Sequence, residues 1–497
     1  IENCIYGVDI QPIAIQISKL RFFISLVLDQ KVYRGKENFG IRALPNLETK
    51  FVAANTLIGL DRPEQLTFKN PDIEKKEAEL KQIRHKYFEA KTRKEKLDYQ
   101  KKDQQIRKEI ADLLERCGWE SSTAEKIATF DLYDQNASAD FFDPEWMFGI
   151  NNPSPLAGEG KGEGGFDIVI ANPPYIFTRD ADFSNDFKSY IAKRYFSLLT
   201  TKTLKSKANQ SGKINLFALF ILRGLYDCKE KGILTYILPN NLLRTTTYDL
   251  IRKYILDNSR VEEIVDLGSG VFDNVTASTI IFRLSNNKKN SNHRTRIVTN
   301  INDLEKHEFV SFDIEQNQFL KNVSYVFNLF ADASINDLLT KIAKNKNELG
   351  AYCTDIIEGI VAHKHLISES PSKNAVPLIE GKTIKRYALS LINKYITWNK
   401  EEIHRTRPDY LWKAPKKIII QRISGGSNPL TATIDVHRHK TFASVNNLIL
   451  KEEYKSYYEF ILALLNSKVI NWFYANSFSN KSELTVNISK TFLEKLP

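Results

Sequence analysis

Asn172, Pro173, Pro174 and Tyr175 follow one another at the end of a short apolar segment, Phe166-Asp-Ile-Val-Ile-Ala171. Proline fixes φ and donates no hydrogen bond, and it pushes the residue before it into extended backbone. Two prolines in succession therefore hold the Asn172 amide and the neighbouring carbonyls outward, away from any ladder. An amide oxygen, a rigid carbonyl and an aromatic ring in this spacing suit a planar amino group held beneath the ring. The element that must present them is the segment before. It is rich in β-branched residues, with Gly164-Gly165 ahead of it and prolines behind, and so reads as a buried parallel strand. In open α/β sheets the carboxyl ends of such strands are where ligands bind.

The surrounding chain has the texture of a doubly wound α/β domain. Residues 4–10 form a strand ending in Asp9, and Pro12 opens a helix running to about Leu28, with apolar positions Ile13, Ile15, Ile17, Leu20, Phe23 and Ile24. Residues 51–57 make another short strand. After Tyr175 come a helical region at 184–205, a helix at Asn215–Glu230, a strand at Gly232–Pro239, a helix at Thr246–Asn258, and strands at Val261–Leu267 and Ser278–Leu284. Beyond Leu284 the alternation stops. Residues 285–335 read as a polar transition, and 336–497 as a mixed α/β region with strands at Lys416–Arg422 and Thr431–Ile434.

Two segments interrupt the pattern. From Asp72 to about Cys117, Lys, Glu and Gln dominate and sparse apolar residues recur at helical spacing, which predicts a long helical hairpin or coiled-coil insertion. Residues 151–165 are rich in glycine with two prolines, a composition that buries no core and predicts a flexible surface loop, read as an insertion rather than a lid. The expected organisation is a catalytic core at 1–60 and 166–310, a helical insertion at 61–150, the glycine-rich loop at 151–165, a linker at 311–335 and a last domain at 336–497.

Composition narrows the partners. A chain of 497 residues with 42% hydrophobic content holds roughly two to four domains. A net charge of +11 fits a partner rich in phosphate. The cysteines Cys4, Cys117, Cys228 and Cys353 are scattered without a C-x-x-C pair, which predicts a reduced compartment and no structural zinc. No apolar run approaches the ~20 residues a membrane helix needs, and no signal peptide is visible. The expected compartment is a bacterial or archaeal cytoplasm.

With its strand context, the Asn172–Tyr175 tetrapeptide resembles motif IV of the amino-DNA methyltransferases, which methylate the exocyclic nitrogen of a flipped adenine or cytosine. Gly7-Val8-Asp9 resembles motif II, whose acid contacts the ribose of S-adenosyl-L-methionine; on its residues alone Asp9 serves equally well to cap the helix at Pro12. Asn55, with Thr56-Leu57, resembles motif III, where a polar residue approaches the cofactor's adenine; a satisfied turn asparagine is the plain alternative. Asn215-Leu-Phe-Ala-Leu-Phe220 resembles motif V, with Asn215 and Phe217 as pocket members. Gly232–Leu243 resembles motif VI. Gly268-Ser-Gly-Val-Phe272, with the small residues up to Ser278, resembles motif VIII, and makes Phe272 a second aromatic wall for the base.

The resemblance implies a Rossmann-like class I methyltransferase sheet. Asn172, Pro173, Pro174 and Tyr175 would form the catalytic loop, Tyr175 and Phe272 would stack the base, and Asp9, Ile10, Asn55, Asn172 and Asn215 would line the cofactor side, with no metal. The motif order, with a basic domain last, is similar to the gamma arrangement. That last domain, through Val376–Lys385, Lys416–Gly425, Leu464–Lys468 and Leu493–Pro497, resembles the specificity domain of adenine-specific type II restriction–modification methyltransferases. Phe142-Asp-Pro-Glu-Trp-Met-Phe-Gly149 resembles the bifunctional type IIG group within them. The resemblance implies double-stranded DNA as partner, adenine-N6 as target with cytosine-N4 open, and Arg405, Arg407, Lys413, Lys416, Lys417 and Arg422 as candidate DNA contacts. A methyltransferase of a phage-exclusion system without nuclease, or a DNA-binding remnant that no longer methylates, are the alternatives.

One family part is missing. The glycine-rich motif I and its strand, the central one of that sheet, do not precede Cys4, so the chain is expected to be a fragment whose upstream region carries motif I and, in a type IIG protein, the nuclease. Pro71-Asp72 followed by Glu74-Lys75-Lys76 matches nuclease letters, but the spacing is too short to join two strands around a metal and the texture is helical. The pairs His363/His365 and His437/His439 lack a third clustered ligand and read as surface or nucleic-acid-facing histidines.

Overall fold

The computed structural model describes residues 2–41, 44–63, 70–151, 164–178, 183–199, 214–272, 278–287, 292–303, 306, 308–329, 333–344, 347–372, 374–424, 428–478 and 486–497. Residues 152–163 of the glycine-rich loop, 200–205 of the expected helix after Tyr175 and 273–277 of the motif VIII segment lie outside them. The fold is mixed α/β, and the chain divides into two compact units: Ile1–Ile237 with Phe282–Asn287, and Leu238–Ile281 with Lys288–Pro497.

In the first unit, β1 (Gly7–Asp9) and β2 (Phe51–Ala53) pair in parallel, with Asp9 opposite Ala53. Both strands are shorter than expected, and just beyond β2 Ala54 forms an isolated parallel bridge with Ala139. Between them runs α1 (Pro12–Leu28), started by Pro12 in the first turn, where a missing N–H costs nothing. Of the six apolar positions read from the sequence on this helix, only Ile15 is buried, while Ile13, Ile17, Leu20 and Ile24 are exposed together with Leu28. Three or four residues apart, these five share one face.

The lysine- and glutamate-rich segment forms two packed helices, α2 (Pro71–Glu89) and α3 (Arg93–Arg116). Asn70 caps α2 by accepting from the Asp72 N–H, and Thr92 with Glu95 forms a capping box on α3. Leu80, Ile83, Ile106, Ile110 and Leu114 make the seam. Buried Asp103 joins the helices, accepting from Arg84 Nε at 2.8 Å and Arg107 Nε at 2.7 Å. Burial raises its pKa, but the two guanidiniums outweigh that and hold the carboxyl below the usual range. Residues 142–149 form α5 (Pro144–Phe148) after the short α4 (Ser121–Thr129); Asp143 caps it, and Gly149 ends it at φ +70°, in the left-handed region.

β3 (Phe166–Ala171) follows the glycine-rich segment, whose ends meet where the Gly165 N–H donates to the Asn151 carbonyl at 2.9 Å. It pairs in parallel with β4 (Cys228–Pro239), Ala171 opposite Tyr236. β4 begins earlier than expected because Cys228 already pairs with Phe166 across a register shift. β5 (Arg260–Gly268), β6 (Thr279–Ser285), β7 (Arg294–Asp303) and β8 (Glu308–Glu315) complete a sheet of order β3-β4-β6-β5-β7-β8. The expected polar transition after Leu284 is thus corrected: much of it is strand. β7 runs parallel to β5 and antiparallel to β8. The charged residues of Arg294-Thr-Arg-Ile-Val-Thr299 and Glu308-Phe-Val-Ser-Phe-Asp-Ile-Glu315 mask an alternation typical of sheet margins.

β3 stands at one end of that sheet, and β1–β2 form a separate pair, so β3 has one unpaired side among the described residues. Its Ile168 and Ile170 are 65% and 77% exposed. Both isoleucines lie two residues apart on one face of the strand, which is open to solvent.

In the second unit the C-terminal region centres on an antiparallel sheet of strands Ala432–Asp435, Lys417–Gln421, Val445–Leu450 and Cys353–Glu358, in that order. Ile418, Ile420, Leu448 and Ile356 point into a core shared with the helices Tyr458–Leu465 and Lys468–Ser477.

Candidate active site

The Asn172–Tyr175 loop leaves the carboxyl end of β3 as extended chain, with Asn172 exposed, Pro173 buried and Tyr175 half-buried. Tyr175 is fixed at both ends of its ring. Its hydroxyl donates to the Ile237 carbonyl at 3.0 Å, next along β4 from the residue opposite Ala171. Phe217 meets the ring edge-on, centroids 6.3 Å apart at 90°. Burial pushes the phenol pKa up, so the hydroxyl stays a donor. Beyond Tyr175 the loop is clamped: the Leu216 N–H donates to the Ile176 carbonyl at 2.8 Å, and the Thr178 N–H to the Ile214 carbonyl at 3.0 Å. Asn172 is thus exposed three residues before an aromatic ring that two distant segments hold in place.

The expected cofactor residues behave differently from one another. Asp9 is exposed at the carboxyl end of β1; its Oδ1 accepts from the Gln11 N–H at 2.8 Å, so it shapes the helix entry while remaining open to solvent. Ile10 beside it is also exposed. Asn55 is a turn asparagine, its Oδ1 accepting from the Leu57 N–H at 3.2 Å. Asn215 is buried, and its side chain caps the helix Leu216–Asp227 by accepting from the Phe217 N–H at 3.3 Å. Its side-chain oxygen thus serves the helix end, a structural use that the sequence reading of Asn215 as a cofactor contact does not include. Phe217, fully buried, backs Tyr175 instead of lining a pocket. Phe272 belongs to the second unit, partly exposed on the bend after β5.

Among the candidate DNA contacts, Lys417 is corrected outright. It is fully buried, pairs with Asp435 at 3.2 Å and donates to the His439 carbonyl at 2.8 Å, so it holds the hairpin behind it. Lys416 is tied to Glu459. Lys413 and Arg405 are exposed, and Arg407 and Arg422 are partly exposed beside Glu358. The His363 and His365 rings stack at 5.7 Å, and His439 Nδ1 lies 2.9 Å from Asp435. No group of three metal-ligating side chains converges among the described residues. Nor is any described helix long and apolar enough to cross a membrane.

No sequence signal marked two parts of this site. The Ile237 carbonyl, a backbone atom, and the Glu358 carboxylate, which belongs to the second unit, each acquire a partner only through long-range packing.

The chain is similar in sequence to known restriction–modification proteins. A Methanocaldococcus jannaschii protein that bears the name of a type II restriction enzyme and methyltransferase is 23% identical over all of this chain and 44% of its own length. The type II methyltransferase M.HincII of Haemophilus influenzae is 24% identical over 61% of this chain and 68% of its own. The type II restriction enzyme and methyltransferase RM.Eco57I of Escherichia coli is 28% identical over 37% of this chain, 17% of its own length. The chain therefore spans less than half of the two bifunctional relatives. Residues 376–497 match the TaqI-like C-terminal specificity domain. Residues 3–272, more than half of the chain, match the Eco57I restriction-modification methylase family, and the protein belongs to that family.

Proposed function

We propose that the chain is the methyltransferase and target-recognition part of a type II restriction–modification protein that methylates N6 of an adenine flipped out of duplex DNA. The observation that carries this reading is the Tyr175 ring, held by Ile237 and Phe217 next to the exposed Asn172 amide. An adenine in a duplex exposes neither amino lone pair nor ring face, so it must leave the stack, at a cost of a few kcal/mol. Stacking on Tyr175 offsets roughly 1–3 kcal/mol of that. The Asn172 side-chain oxygen and the Pro173 carbonyl accept the two amino hydrogens and turn the nitrogen lone pair outward. S-adenosyl-L-methionine, when bound, supplies the electrophilic methyl. Asn172 and Pro173 would hold the amino hydrogens throughout, and one of them would leave to solvent once the nitrogen carries the methyl. Rate then comes from positioning and from carbonyl dipoles facing the developing positive charge.

Asp9, open to solvent at the end of β1, fits a ribose hydroxyl pair, whereas Asn55 and Asn215 are committed to turn and cap. The order β3-β4-β6-β5, with the parallel pair β1–β2 apart from it, suits a Rossmann-like methyltransferase sheet whose central strand lies between β1 and β3. The exposed Ile168 and Ile170 and the apolar face of α1 support an upstream segment covering them and carrying the glycine-rich turn. Labelled-methyl transfer to DNA by the intact gene product tests the reading. Wild type is expected to transfer and Asn172→Ala to fall at least a hundredfold; no transfer by wild type leaves only a DNA-binding protein. Sequencing the methylated DNA identifies adenine or cytosine.

A further inference from the structure

The C-terminal region gathers two guanidiniums around one carboxylate. Glu358 ends its strand, and its Oε2 lies 3.4 Å from Arg407 Nη2 and 3.3 Å from Arg422 Nη1. Backbone carbonyls aim both arginines: Arg407 Nε donates to Gly359 at 3.0 Å, and Arg422 Nη1 to Ala443 at 3.0 Å. Arg405, exposed two residues before Arg407, is anchored through its backbone, whose N–H donates to the Val361 carbonyl at 3.2 Å. The packing is tight enough that a Cβ on Gly359 would stand 2.2 Å from the Thr441 carbonyl oxygen. Arg407 holds φ at +64°, a conformation that non-glycine residues adopt at a cost and that gathers at functional positions. Burial, with Arg405 and Arg422 as like charges, outweighs Glu358 and lowers the Arg407 pKa, so the cluster carries more positive charge than its one acid offsets.

A simple structural ion pair needs one arginine, and a phosphate clamp would not keep a carboxylate between its cations. A base edge that offers both acceptors and a donor suits the arrangement. Guanine presents O6 and N7 side by side to one guanidinium fork, and its cytosine partner presents an N4 hydrogen to a carboxylate. We propose that Arg422 and Glu358 read one G·C pair of the target site in the major groove, with Arg407 as the residue that positions Glu358 and Arg405 on the adjacent phosphate. This rests on the reading of the chain as a site-specific DNA methyltransferase.

The test is enrichment of bound duplexes from a random DNA library by the full chain, for wild type, Glu358→Gln, Arg422→Lys and Arg405→Lys. Wild type is expected to select a motif containing an invariant G·C pair. Glu358→Gln and Arg422→Lys should lose selection at that pair alone, discrimination falling about tenfold or more, while the other positions stay fixed. Arg422→Lys keeps the charge and removes only the fork, so a phosphate-holding role would leave the motif intact and overturn the proposal. Arg405→Lys should leave the motif unchanged. Unaltered motifs in the Glu358 and Arg422 variants, a relaxed position that is A·T, or no selection by wild type would each overturn it. Labelled-methyl transfer separates the two readings: selection without transfer removes the enzyme and keeps the reader, and transfer at a motif insensitive to both variants does the reverse.

Discussion

Replacing Tyr175 separates its ring from its hydroxyl. Tyr175→Phe removes one hydrogen bond, the donation to the Ile237 carbonyl, and leaves the ring against Phe217. A single neutral hydrogen bond contributes about 0.5–1.5 kcal/mol net, which at 1.4 kcal/mol per decade is a loss of roughly two- to twelvefold in kcat/KM. Tyr175→Ala removes the stacking surface as well, a further 1–3 kcal/mol or so. The sum of about 1.5–4.5 kcal/mol corresponds to a loss of roughly tenfold to a thousandfold. The assay is methyl transfer by the intact gene product, with 2-aminopurine at the target position reporting extrusion of the base. Y175F is expected to extrude almost normally and Y175A poorly. A Y175F enzyme indistinguishable from wild type would refute the assignment of the hydroxyl as an anchor. A Y175A enzyme within twofold of wild type would refute the stacking role altogether.

Two further outcomes follow from the packing. Asp103→Asn leaves Arg84 and Arg107 without their charge partner in a buried site, and should destabilise the helical hairpin by about 3–5 kcal/mol. The Asp103 carboxyl is held below its unfolded value, so its stabilisation is full above the unfolded carboxylate pKa and is lost as pH falls toward the folded one. Hydrogen exchange of α2 and α3 should show the gap between wild type and variant closing below about pH 4; a gap unchanged down to pH 3 would contradict this. Gly165→Ala would place a Cβ 2.6 Å from the Lys229 backbone nitrogen at φ +107°, and should cost about 1–3 kcal/mol in thermal unfolding. Stability equal to wild type would show that the β3–β4 junction yields more easily than its packing implies.

Local chemistry made much of this protein legible from its residues. Pro12, Pro71 and the Thr92–Glu95 box start their helices through backbone geometry and orphan N–H groups, which depend on neighbours in sequence. The strand before Asn172 is equally local, a β-branched run between glycines and prolines. The order of strands and helices also pointed to an α/β class and to a loop that presents an amide beside a ring. What stayed hidden depended on partners far along the chain. β7 and β8 lie in what reads as a polar transition because marginal strands carry charge, and only pairing with β5 makes them a sheet. Lys417 read as a DNA contact because charge alone does not show burial; Asp435 and the His439 carbonyl, brought beside it by a hairpin, compensate its desolvation. Asn215 reads as a cofactor contact in the sequence, and its oxygen caps a helix in the structure. In the same way the tetrapeptide determined which atoms could hold an amino group. Tertiary structure alone decided that the Tyr175 ring would be held still, since the Ile237 carbonyl and the Phe217 edge lie about 40 to 60 residues away.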